Sequence, residues 1–274
     1  MNWARKHTHI PVPGIVRYDA TENNLIGHEF TLLERAPGVS VDQIYDKLSM
    51  ETKTNMVRQL TDYLIELYLH PWKDGYVGGL TLHGNGESVC GPPIDEFFWQ
   101  VPDLEKYWPS PEMHEILDMI NPIPVEGFTS YVAFNVGCLE RYIHAINVHP
   151  LLEPYRDTVP RLQSLIVTLE QPAFKDQLNR VVYVFAHKDL HLGNIISEDK
   201  AEQTQMEELF EKVCLEKGPG WMLEEMKMNE LQESMQNVVN QIREIVEVCA
   251  KGQANDRVAR WRSVAETSME RFGV

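Results

Sequence analysis

The segment His187-Lys-Asp-Leu-His-Leu-Gly-Asn194 holds the residue types from which a catalytic loop is made. Transfer of a phosphoryl group asks little covalent chemistry of a protein. It needs a carboxylate to accept the proton of the attacking hydroxyl and an oxygen donor nearby to hold Mg²⁺ against the nucleotide phosphates. Asp189 suits the first role and the amide oxygen of Asn194 the second, with Gly193 allowing the tight turn between them. His187 would brace the loop by hydrogen bonds, and His191 would pack near the same centre. The same residues admit a second chemistry, because His187, Asp189 and His191 alternate as the ligands of a zinc hydrolase can. Such a site needs an oriented second shell, and the sequence offers no further His/Asp cluster to supply one.

Such a loop must be held by regular elements. Val181-Val-Tyr-Val-Phe185, directly before it, is a continuous apolar run that predicts a strand buried on both faces, and Ile195-Ile196 offers a short returning strand. Farther upstream, Ile15-Val-Arg-Tyr18 and Glu29-Phe-Thr-Leu-Leu33 read as strands joined by a polar turn. Ser40-Val-Asp-Gln43 is a capping-box pattern opening a short helix through Lys47. A long helix is predicted from about Glu51 to Leu69, with Met56, Leu60, Tyr63, Leu64 and Leu67 on its inward side. Val77 to Leu82 and Ser88 to Ile94 flank Gly84-Asn85-Gly86 as a hairpin. An irregular packed stretch follows to about Glu126, with a short helix near Pro111 to Met119, and its aromatic residues from Phe97 to Trp108 are candidates to line an acceptor pocket. Helices are expected at Thr129 to Asn147 and Tyr155 to Glu170. Beyond Ser197 nearly everything reads as charged helix. Leu231, Met235, Val238, Ile242, Ile245 and Cys249 form one narrow seam there, for packing against the chain's own body or, alternatively, against a partner helix.

Composition narrows the function classes. In 274 residues, 43% are hydrophobic and the formal net charge is -16 with a pI near 5.0. That balance gives enough apolar material for a core and argues against nucleic-acid binding by counterion release, which needs a surplus of Lys and Arg on some face. Cys90, Cys138, Cys214 and Cys249 are far apart and form no Cys-x-x-Cys pair, so neither a zinc ribbon nor a disulfide framework is indicated, and a reducing, cytoplasmic setting is expected. No uncharged apolar run is long enough for a membrane span, and the first residues carry no apolar signal core.

The loop resembles the His-x-Asp-x-His-x-Gly-Asn signature of the aminoglycoside phosphotransferase and choline kinase-like family, within the protein kinase-like superfamily. Lys188 stands where the family commonly has glycine, as in fungal members. Ile10-Pro-Val-Pro13 and Gly27-His-Glu-Phe-Thr-Leu-Leu-Glu-Arg-Ala-Pro-Gly38 resemble the family in the same order along the chain. The resemblance implies an α+β, protein kinase-like fold: a remnant of the N-lobe sheet and hinge over 1–38, then a mostly helical C-lobe over 39–274 with the catalytic loop at 187–194. It implies Asp189 as catalytic base, His187 as its brace and Asn194 as metal ligand. Glu34, Arg35 and Ala36 would offer backbone groups to adenine. ATP and Mg²⁺ would be the cofactors and a small-molecule hydroxyl the acceptor.

The sequence also departs from that pattern. The phosphate-covering glycine loop, strand lysine and helix glutamate of the family lie upstream of the Ile-Pro-x-Pro turn. Here only ten residues precede Pro11, and they hold neither a glycine nor an acidic residue. Lys6 belongs to a helix tail. Downstream, no aspartate occurs between Lys200 and Asn255, and Asp199 is too close to Asn194 to sit on a returning strand. The break falls at Ser197 to Glu198. A nucleoside triphosphate is strongly anionic, so Asn194 and Asp189 alone, one neutral ligand and one like charge, argue against tight Mg-ATP binding. Two expectations follow. One is a truncated or mis-spliced relative of an active kinase; the other is a pseudokinase that binds or scaffolds through its helical seam or pocket.

Overall fold

The computed structural model describes residues 1–37, 41–72, 75–82, 87–93, 127–186, 200–253 and 255–274. The loop 187–194, the predicted return at Ile195-Ile196, the hairpin turn at Gly84 to Gly86 and the stretch with the Phe97 to Trp108 aromatics lie outside the described residues. The chain divides into two compact units.

The first unit joins residues 1–72 to 184–227. Helix α1 (Asn2–His7) ends where Thr8 turns extended, two residues before the Ile10-Pro-Val-Pro13 stop. Strands β1 (Ile15–Asp19) and β2 (Phe30–Leu33) pair antiparallel, with the register shifting between Ile15 and Arg17. Their connection is self-bonded: Asp19 Oδ1 accepts from the Thr21 N–H (3.0 Å) and hydroxyl (2.7 Å), and Asn24 Oδ1 accepts from the Ile26 N–H at 2.8 Å. The expected helix from Ser40 is two 3₁₀ turns, Val41–Gln43 and Tyr45–Lys47.

Helix α2 (Met50–Tyr68) starts on Ser49, whose side chain accepts from the Thr52 N–H. Its buried face corrects the sequence reading. The four-residue row Lys53, Val57, Thr61 and Ile65 is buried; of the expected inward residues Leu67 is buried too, while Met56, Leu60, Tyr63 and Leu64 are only half-buried. Hydrophobic counting skipped a lysine and a threonine, yet both are compatible with the interior. The Thr61 hydroxyl donates to the Val57 carbonyl (2.7 Å), and Lys53 Nζ lies 3.0 Å from Glu202 Oε1. Glu202 opens α6 (Lys200–Lys217), which packs along α2 and is followed by the short α7 (Met222–Glu225). Ile65, Val213, Cys214 and Met222 form the small core between them, with the Tyr68 and Trp221 rings 5.9 Å apart.

The second unit holds residues 73–183 and 228–274. Strands β3 (Gly79–Leu82) and β4 (Ser88–Gly91) make the expected hairpin, and the Tyr76 hydroxyl lies across it, accepting from the Gly91 N–H at 2.8 Å. Around these stand α3 (Tyr131–Val148), α4 (Val159–Leu169), α5 (Pro172–Leu178), α8 (Glu230–Ala250) and α9 (Arg257–Glu270). The helix expected from Tyr155 to Glu170 is in fact a 3₁₀ segment (Pro150–Thr158) leading into α4, the change of winding falling at Val159-Pro160. Helix α8 opens on a capping box: Asn229 Oδ1 accepts from the Gln232 N–H (2.9 Å) and Gln232 Oε1 accepts from the Asn229 N–H (3.0 Å). The seam read from the sequence is buried. Met235, Val238, Ile242, Ile245 and Cys249 sit in the main core with Leu139 and Leu162, and Leu231 packs at its margin.

On the outside of this unit, Arg262 grips Asp157 with two nitrogens, at 2.6 and 3.2 Å. The Arg262 hydrogen bonds hold the Asp157 carboxyl below the usual carboxylate range. A depressed folded pKa gives a contribution fully present above the unfolded value of about 3.9 and lost as pH falls through the folded one. Asp157 is exposed, so the effect is small. Thermal melts of Asp157→Asn and the parent protein are expected to differ slightly at pH 7 and to converge as pH falls through the lowered folded-state pKa; a difference undiminished in acid would rule out this linkage.

Candidate functional site

Of the expected site residues, Asp189, His187 and Asn194, together with His191, lie outside the described residues; what the structure shows is how the chain is fixed on either side of them. Upstream, α5 ends at Leu178 and the chain runs without regular secondary structure through 181–186, so it is not the doubly buried strand predicted. No strand among the described residues pairs with it, and Val182 is 36% exposed. Its aromatic side chains, Tyr183 and Phe185, are used to hold other elements.

The first amides of α3 receive three side-chain acceptors. Tyr131 N–H donates to the Tyr183 hydroxyl (3.0 Å), Val132 N–H to Asn179 Oδ1 (3.0 Å) and Ala133 N–H to Ser130 Oγ (3.1 Å). A helix start leaves its first N–H groups without partners in the helix, so these contacts cap α3 and pin residues 179–183 together. Gln232 adds a third anchor, its Nε2 donating to the carbonyls of Leu178 (3.2 Å) and Arg180 (3.3 Å). Burial pushes the Tyr183 phenol above its usual pKa, and that of Tyr131 likewise, so both stay protonated at neutral pH.

In the first unit, Phe185 lies against Trp3 with ring centroids 5.0 Å apart, and Trp3 stacks on His7 at 4.9 Å. Beyond the loop, the chain is fixed as soon as α6 begins. Glu202 accepts from Lys53 Nζ and from the Tyr45 hydroxyl (2.8 Å), and the same ammonium sits 4.2 Å from the centre of the Tyr45 ring. The loop segment is therefore bounded by Phe185 and Glu202, each held by packing within the first unit.

The expected adenine segment is described. Glu34, Arg35 and Ala36 are all exposed, directly after β2. Glu34 is bound twice to Gly14: its N–H donates to the Gly14 carbonyl (2.8 Å) and its Oε2 accepts from the Gly14 N–H (2.8 Å). Arg5 Nη1 lies 3.6 Å from the same carboxylate. A Cβ at position 14 would fall 2.6 Å from Glu34 Oε2, so a larger residue there would displace the Glu34 carboxylate from the Gly14 amide. The Glu34 amide is thus already engaged. Any backbone donor for a ligand in this segment would have to come from Arg35 or Ala36.

Sequence reading did not find the anchors. Asn179, after a short helix, carries a weak turn signal; Lys53 and Glu202 are 149 positions apart and carry none. The zinc alternative rests on His187, Asp189 and His191, which lie outside the described residues; among the described residues no group of three or more His, Cys, Asp or Glu could hold a metal. No described helix is long and apolar enough to cross a membrane. The family model described as phosphotransferase enzyme family matches residues 1–206, about three quarters of the chain. No curated protein and no solved structure gives a significant match. The match spans the N-terminal motifs, the bounded loop and the start of α6, and on that extent the chain belongs to the phosphotransferase enzyme family of aminoglycoside phosphotransferase-like, kinase-fold proteins.

Proposed function

We propose that this chain derives from ATP-dependent kinases that phosphorylate a small-molecule hydroxyl, and that as it stands it transfers phosphate weakly or not at all. One observation carries the second half. The segment after the loop, where such an enzyme needs a further metal-holding carboxylate, is an 18-residue helix, α6. It contains no aspartate, and its first-turn carboxylate, Glu202, is bound to Lys53 and Tyr45.

ATP and Mg²⁺ are the cofactors typical of the family, and Mg²⁺ prefers several hard oxygen donors in near-octahedral array. The residues here do not complete such a set, so no step is derived through the metal. What this chain retains is Asp189 to accept the proton of an alcohol, His187 to brace it, and Asn194 as one neutral oxygen donor. The exposed Arg35 and Ala36 backbone would meet adenine. A cytoplasmic location belongs to the same reading and agrees with four cysteines that form no disulfide.

The purified protein is expected to show no thermal shift with millimolar Mg-ATP and no phosphate transfer to a panel of aminoglycoside, amino-alcohol and sugar acceptors. Turnover that Asp189→Asn abolishes would overturn the inactive reading while upholding the descent. A second reading, a kinase-derived binding module, is favoured by the apolar residues exposed on β1 and β2, among them Val16 (61%), Tyr18 (55%) and Leu32 (54%).

A further inference from the structure

Among the described residues, sheet β1–β2 has only two strands, and no strand pairs with the outer edge of either. Its two strands pack chiefly on each other, and they expose Val16, Tyr18, Leu32 and Leu33; Ile26 in their connection is exposed as well. A two-stranded sheet is marginal in water and an open apolar edge is a template for another strand. The edges differ in what they would accept. Self-pairing of β2 over its full length sets Glu29 opposite Glu34 at both ends, and like charges placed directly opposite each other destabilise a sheet. At a net charge of -16, two copies of this chain repel unless the contact itself is complementary.

We propose that the open edge of β1 pairs antiparallel with β1 of a second copy, centred on Tyr18, joining two two-stranded sheets into one of four strands. Centring on Arg17 would oppose two guanidiniums. Centring on Tyr18 sets Arg17 opposite Asp19 of the partner subunit, twice, and brings the two exposed tyrosines face to face. Cross-strand pairs of both kinds are favourable. This register uses Arg17 to Asp19, the regular part of β1, and leaves the irregularity between Ile15 and Arg17 outside it. Asp19 is oriented by its two bonds from Thr21, and Arg17 is exposed. The proposal holds whether or not the chain turns over ATP.

Sedimentation velocity of the full chain across the micromolar range tests it. The parent protein is expected to self-associate, with Arg17→Glu and Asp19→Lys each weakening association about tenfold or more, because each replaces two attractive contacts by two repulsive ones. Asp19→Lys also gives up the Thr21 bonds, so the decisive arm is an equimolar mixture of the two variants. Mixing restores opposite charges at both contacts, and a heterodimer as tight as the parent dimer is expected. A parent protein that stays monomeric overturns the proposal, even if slow exchange of the Arg17 to Asp19 amides shows the edge to be covered from within the chain. Variants that associate as tightly as the parent, or a mixture that remains monomeric, overturn it equally.

Discussion

Lys53→Met is expected to lower the stability of the unit built on α2 and α6 by about 3 kcal/mol, and the double change Lys53→Met with Glu202→Leu to recover most of that loss. The Lys53 and Glu202 side chains are only 9% and 13% exposed and 3.0 Å apart, with the Tyr45 hydroxyl as a further donor to the carboxylate. Taking two charges out of water costs nearly as much as their attraction returns, so the intact pair adds little net stability. Removing one partner is different in kind: Glu202 would lose its ammonium and be left as a largely buried charge. Replacing both partners by apolar groups removes the stranded charge. Urea unfolding of the three proteins measures the difference, and hydrogen exchange should place the loss in α2 and α6. A double variant no more stable than the single one would show that the pair itself, and not the unmatched charge, supports the fold.

Leu139→Ala should cost about 2–5 kcal/mol, the range for deleting a fully buried leucine whose surroundings close only partly over the gap. Leu139 is 0% exposed at the centre of α3, in the core that also holds Leu162 and Ile242. Val167→Ala on the outer face of α4 is the control; that side chain is 65% exposed, and a change within about 0.5 kcal/mol is expected. Chemical denaturation reads both. Equal losses for the two variants would mean that Leu139 is not in a packed interior.

What could be read from residues alone follows a physical divide. Elements whose stability is local and periodic were legible: the β1–β2 pair from its β-branched run and polar turn, the long α2, the β3–β4 hairpin, and the α8 seam with its steps of four and three. The inward side of α2 was misread because periodicity counts only apolar residues. Lys53 is buried through a partner 149 positions away, Glu202, and Thr61 by bonding its hydroxyl back to the Val57 carbonyl one turn earlier. Val181 to Phe185 failed for the converse reason. An apolar run predicts burial, whereas a strand also needs a strand beside it; none among the described residues pairs with this run, and its aromatic side chains are engaged one at a time by Tyr131 and Trp3. The chemical residues Asp189 and Asn194 were legible as types at a spacing. The frame around them was not, since its contacts bridge about fifty residues or more, from Asn179 to Val132, from Gln232 to Arg180 and from Glu202 to Lys53.

The start of α3 bears on how the protein is made. Two of the side chains that receive its opening amides come from Asn179 and Tyr183, 47 and 52 positions farther along. On a ribosome, α3 would leave the exit tunnel with those amides facing water, and only Ser130 would be at hand from the outset. The helix can settle into its final form only after the chain through Tyr183 has emerged, so its maturation during synthesis waits on the stretch that leads directly into the loop.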